Sequence, residues 1–122
     1  MPIVDVQAVV SNSAQLPENA ATAIAEAMAV LFKAPPGRVW VRLGALPEAM
    51  YAENGPSPSA LRLPVFVRVR HAELPATEAL AVESASIARV LAACLGRNPE
   101  NIHIEYAPPG RGRVAFGGKL VQ

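Results

Sequence analysis

The chain opens Met1-Pro2 and runs at once into PIVDVQAVV, Pro2 to Val10, which reads as a strand. Methionine ahead of proline is normally removed, because the processing aminopeptidase accepts small second residues. Its loss would leave Pro2 with a free secondary amine at the end of an ordered strand. A free α-amino group has a pKa of about 8, and a prolyl amine somewhat higher, so most of it is protonated at neutral pH. A base needs the neutral form, and desolvation or nearby cations shift the balance that way. Proline at a strand's first residue is also structurally harmless, so Pro2 alone fits both a reagent and a plain strand end. Lys33, Arg68, Arg70, His103 and Glu105 are the other residues whose types bear on such chemistry.

These residues fall on a pattern that repeats. A turn is expected at Ser11 to Pro17 and a helix from Glu18 to Lys33. In that helix Ile24, Met28 and Leu31 share one apolar face with Ala21 and Ala27. Pro35, Pro36 and Gly37 stop it, and Val39 to Leu43 alternates as a second strand. Leu46 to Ser59, with Pro47, Gly55, Pro56 and Pro58, reads as a loop between repeats. The pattern then restarts with a strand at Leu63 to Arg70. A helix follows from Thr77 to Leu95, with Ile87, Val90, Leu91 and Cys94 on one face. Gly96 suits a helix end. Asn101 to Tyr106 alternates as another strand, and a Gly-rich tail with a short terminal strand closes the chain. The fold class is therefore α/β (α+β): two β-α-β repeats, about 2–58 and 59–122, in one domain. They should form a four-stranded sheet with parallel pairs within each repeat and both helices on one face.

The free face of that sheet gathers the chemistry. Val39, Val41, Leu43, Val65, Val67, Val69, Ile102, Ile104 and Tyr106 should face the helices. Trp40, Arg42, Phe66, Arg68, Arg70, His103 and Glu105 then face away. A solvated face would explain the charges. Trp40 and Phe66 among them argue for partial burial against other subunits.

The start MPIVDV, the double repeat, KAPPGRVWV after the first helix and NPENIHIEY after the second resemble the tautomerase superfamily over nearly the whole chain. The resemblance is to its long members with fused repeats: macrophage migration inhibitory factor, 5-carboxymethyl-2-hydroxymuconate isomerase and malonate semialdehyde decarboxylase. The tail GRGRVAFGGKLV is similar to the decarboxylase group. The resemblance implies a homotrimer whose three sheets line an inner barrel, with active sites at subunit interfaces. It implies that Pro2 takes a proton from carbon beside a carbonyl and returns it elsewhere, without a cofactor. Lys33, Arg68 and Arg70 would supply cations beside the amine and hold a substrate carboxylate.

There are departures from the family pattern. The arginine that follows the first residue of the second strand in short tautomerases is replaced by Trp40, between Arg38 and Arg42. Lys33 stands one residue before the migration-factor lysine when the prolines are aligned. Arg38 occupies the place of an acidic residue of the decarboxylases, which counts against decarboxylation. Arg68 and Arg70 lie near the arginine pair of the decarboxylases and related dehalogenases. His103 and Glu105 fall where the migration factor has a tyrosine and an asparagine.

Each candidate has a plainer explanation. Lys33 ends a helix and complements its dipole. Arg68, Arg70, His103 and Glu105 suit a surface or an interface. Arg111 and Arg113 lie in a flexible GRGR loop, His71 sits in a turn facing solvent, and Cys94 belongs to the core. No His/Cys cluster has metal-ligand spacing, and the Gly-rich tail opens no helix and is no phosphate loop.

Composition narrows the field. The 122 residues suit one domain, and 52% hydrophobic with only 5% aromatic residues makes Ala, Val and Leu the core builders. A net charge of +1 gives no general case for nucleic acid or an anionic membrane. The single cysteine, Cys94, forms no internal disulfide. Asp5 and Gln7 interrupt any signal-peptide run, and no stretch approaches the ~20 apolar residues of a span, so a cytoplasmic protein is expected. The leading expectation is an isomerase of a small 2-hydroxydienoate or enol-keto acid. The alternatives are decarboxylation or hydration of a three-carbon acid by a cationic Pro2, or a non-catalytic ferredoxin-like binding domain.

Overall fold

A computed structural model describes residues 1–11, 16–59 and 62–122. Alternating valines in β1 (Ile3–Val10) and β3 (Val65–Arg70) bury one side of each strand almost completely. Those valines meet Ile24 and Met28 of α1 (Ala20–Phe32) and Ile87 and Leu91 of α2 (Thr77–Leu95), all fully buried. Removing such apolar surface from water is the main force holding the two layers together. Val41, Leu43, Ile104 and Tyr106 pack around this core from β2 (Trp40–Pro47) and β4 (Ile102–Tyr106), and Val39 does so just ahead of β2, all on the expected side.

The sheet order is β2-β1-β3-β4. β1 pairs parallel with β2, β3 pairs parallel with β4, and the repeats join antiparallel through β1 and β3. Each repeat thus pairs its own two strands directly. That removes the ferredoxin-like alternative, whose split β-α-β unit places another strand between them.

Apart from shifts of one or two residues at other ends, the elements differ from expectation in three places. α1 begins at Ala20 rather than Glu18, because Asn19 takes a left-handed conformation at φ 63°. β2 continues to Pro47, through the start of the expected loop, because β1 pairs with it over its full length. The terminal strand is a hairpin of β5 (Ala115–Phe116) and β6 (Lys119–Leu120). Gly117 and Gly118, at φ 56° and 83°, make its turn in a backbone region open to glycine. Most of the turn expected over Ser11 to Pro17 lies outside the described residues.

Candidate functional site at the N-terminal end of the sheet

Pro2 is buried and leads into a central strand, where its carbonyl accepts the Trp40 N–H at 3.2 Å. Four other segments reach this end. α1 runs back toward it and stops at Lys33, whose left-handed backbone (φ 53°) turns the chain into Ala34-Pro35-Pro36. The next turn brings Arg38 into range of the terminal amine of Met1. Burial, and then the Arg38 charge, hold that amine below its ordinary pKa. β3 ends here with Arg70 opposite Ile3, and the Arg70 guanidinium donates to the Pro108 carbonyl at 2.7 Å. The segment after β4 closes over the end through Gly110, whose N–H bonds the His71 carbonyl at 2.8 Å. The Met1 side chain lies against Gly110, where a Cβ would collide with it.

The remaining expected site residues lie farther along the free face. Cross-strand register sets Arg42, Asp5, Arg68 and Glu105 in one row, and Gly44, Gln7, Phe66 and His103 in the next. At ~3.3 Å per residue these rows stand about 10 and 17 Å from Pro2. Arg42 grips Asp5 through two hydrogen bonds, and Arg68 pairs with Glu105 at 3.0 Å. His103 packs beside Phe66, ring centres 5.4 Å apart. Within one protomer, then, the end of the sheet that carries Pro2 also holds Arg70, level with Ile3, and Arg38, whose charge reaches the terminal amine, while Lys33 is exposed at the end of α1. Arg68, Glu105 and His103 form a separate surface around a hollow of about 580 Å³. Trp40 stacks on Phe116 at 4.3 Å and anchors the terminal hairpin. The two GRGR arginines are exposed but engaged: Arg111 pairs with Glu73, and Arg113 donates to the Pro109 carbonyl.

His71 does not face solvent as a turn residue would. Its side chain is 13% exposed, and its Nε2 lies 2.9 Å from Glu83 Oε2. The Tyr106 hydroxyl donates to the same oxygen at 2.7 Å. Burial first, and then the bond to the Glu83 carboxylate, push the Tyr106 pKa far up, so this hydroxyl stays a donor. The physical reason for the His71 placement is the β3 alternation, which continues from Val65, Val67 and Val69 onto the helix side. Glu83 stands i, i+4, i+8 with the buried Ile87 and Leu91, so its inward position was also open to the sequence.

No protein-family model and no curated sequence matches the chain. Solved structures match its fold. A wild-type fused 4-OT, a symmetric trimer, superposes with a TM-score of 0.77 at 14% identity, covering 98% of this chain and 94% of that one. Macrophage migration inhibitory factor from Oncomelania hupensis gives a TM-score of 0.76 at 19% identity, covering 100% and 83%. The FG41 malonate semialdehyde decarboxylase, inhibited by 3-bromopropiolate, gives 0.68 at 16% identity, covering 94% and 90%. The chain has the fold of these three proteins: a four-stranded mixed sheet built from two β-α-β units, with two helices.

Proposed function

We propose that this chain is a member of the tautomerase superfamily acting as a cofactor-free tautomerase or isomerase. Its substrate would be a small unsaturated 2-hydroxy or 2-keto acid. The Pro2 amine, freed of Met1, is the base that moves a proton between carbons or between enol and keto forms. The observation that carries this reading is buried Pro2 at the start of a central strand, within a short reach of Arg38, whose charge together with burial lowers the amine of the preceding residue. Loss of Met1 would put the terminal nitrogen on buried Pro2, where burial and a nearby guanidinium would act in the same direction. They favour the neutral amine that a base needs. Arg38, Arg70 and Lys33 gather at this end of the sheet, where an enolate would develop its charge.

A homotrimer belongs to the same reading, and what supports it is that a matched fused 4-OT is a trimer and that the free sheet face carries exposed Phe66 among charges. A cytoplasmic setting suits it, because initiator methionine is removed there. The test combines intact mass with a ketonisation assay on phenylenolpyruvate. The processed protein should be active, and Pro2→Ala should lower the rate ~10²–10⁴-fold. Retained Met1 in active protein, or an unchanged rate in Pro2→Ala, excludes Pro2 as the base.

A further inference from the structure

One cluster of titratable groups at the N-terminal end has no part in the reading above. His71, Glu83 and Tyr106 come from β3's end, α2 and β4 and meet at one carboxylate oxygen. The edge of the Phe32 ring, from the end of α1, closes on the imidazole at 5.3 Å. The antiparallel register that pairs Ile3 with Arg70 sets Pro2 opposite His71 at the next step. The Met1 side chain lies on Gly110, itself bonded to the His71 carbonyl. Among the described residues no buried side-chain polar atom lacks a partner. Among the described residues His71 Nδ1 has no hydrogen-bond partner, so this second ring nitrogen is not sealed from solvent.

A carboxylate holding one imidazole nitrogen, with the other open, is the arrangement of an oriented acid–base histidine. We infer that His71, held by Glu83 and Tyr106, is a second catalytic acid–base group, handling the proton on the substrate oxygen while Pro2 handles the proton on carbon. This rests on the Pro2 reading. In ketonisation His71 Nδ1 takes the enol hydroxyl proton. The O–H electron pair becomes the carbonyl π bond, and the C=C pair takes a proton from the Pro2 ammonium. Water then returns a proton from His71 to Pro2. Enolisation runs the same steps backwards. The titratable groups facing the imidazole are Glu83 and Tyr106, and the Arg111–Glu73 pair lies beside its turn; Glu83 is the one that would stabilise the imidazolium.

The pair works only while it holds one proton, so kcat/KM should fall on both the acid and the basic side. The test uses full-length, Met1-processed protein and phenylenolpyruvate. His71→Gln, and His71→Phe, which keeps an aromatic ring against Phe32, should fold with wild-type circular dichroism. Both should lose ~10²-fold in kcat/KM and one limb of the pH profile. Glu83→Gln keeps an acceptor without its charge and should lose less, with the His71 limb displaced to lower pH. A folded variant at either position 71 with the wild-type rate, or with both limbs kept, overturns the proposal. Pro2→Ala is measured beside them. If it is inactive while the His71 variants are unaffected, only the His71 role falls. If it is fully active, the base reading itself falls.

Discussion

The Arg68 guanidinium closes on Glu105 at 3.0 Å across β3 and β4, on the sheet face turned away from both helices. Arg70, two residues on, shares that face but ends level with Ile3, one residue from Pro2. Its donated bond to Pro108 uses one nitrogen and leaves other donors of the fork available. The two arginines should therefore separate in kinetics. Arg70→Ala should raise KM for an enol-acid substrate about tenfold or more, the loss of a charged hydrogen bond. Arg68→Ala should stay within about twofold, since an exposed pair contributes little. Steady-state assays on the two variants check this; equal effects would place the carboxylate elsewhere.

Arg38 controls the amine electrostatically. Its charge disfavours the protonated form of the N-terminal nitrogen, after burial has done so more strongly. Removing the charge should let the amine pKa rise. In Arg38→Gln a smaller fraction of Pro2 is then neutral at a given pH. The limb of activity that belongs to the amine should move to higher pH. Titration of ¹⁵N-proline-labelled protein by NMR, wild type against Arg38→Gln, reads the shift directly. An unmoved or lowered value would remove Arg38 from the site.

Much of this arrangement was legible from residue order alone. Period-two alternation in VFVRVR and NIHIEY assigned both faces correctly, because side chains on a strand have only two directions. The Gly96 helix end, at φ 66°, follows from glycine's freedom in left-handed backbone. What escaped depends on distant partners. Pairing with β1 extends β2 through Pro47, and nothing local to Leu46-Pro47 announces that. His71 was assigned to a turn although the alternation reached it, since its partner Glu83 lies 12 residues away on another element. The Arg68–Glu105 pairing follows from strand register, which periodicity leaves free.

Arg97 gave no sequence signal at all, yet it ties β1 to the segment that leads into β3. Just past α2, its guanidinium donates to the Leu63 carbonyl at 2.9 Å and to the Val9 carbonyl at 2.8 Å. Burial lowers its pKa, but a guanidinium stays charged in proteins, so these bonds persist at any ordinary pH. Arg97→Met keeps the aliphatic stem and removes both donors. A cost of about 2 kcal/mol is expected, or roughly 5–10 °C in Tm for a chain of this size. Calorimetry should show the loss equally at pH 6 and pH 8. A change within 1 °C would mean that water replaces the guanidinium without penalty.

The free sheet face carries the last prediction. Phe66 is 41% exposed there, in ring contact with His103 and with Tyr51, whose centre is 5.9 Å away. The neighbouring row alternates in charge, Arg42, Asp5, Arg68, Glu105, with a cation at the β2 edge and an anion at the β4 edge. A second copy meeting one edge with the opposite one would continue that alternation and cover the ring. Light scattering at micromolar concentration should give about three chain masses. Phe66→Glu should shift the population to monomer, since a carboxylate buried at the contact loses its hydration without gaining a partner. Its fold should survive, because the side chain faces away from the core. High salt alone should weaken assembly only modestly, as the apolar contact is not screened. A wild-type monomer, or a trimer that tolerates Phe66→Glu, would show that this face is a solvated surface.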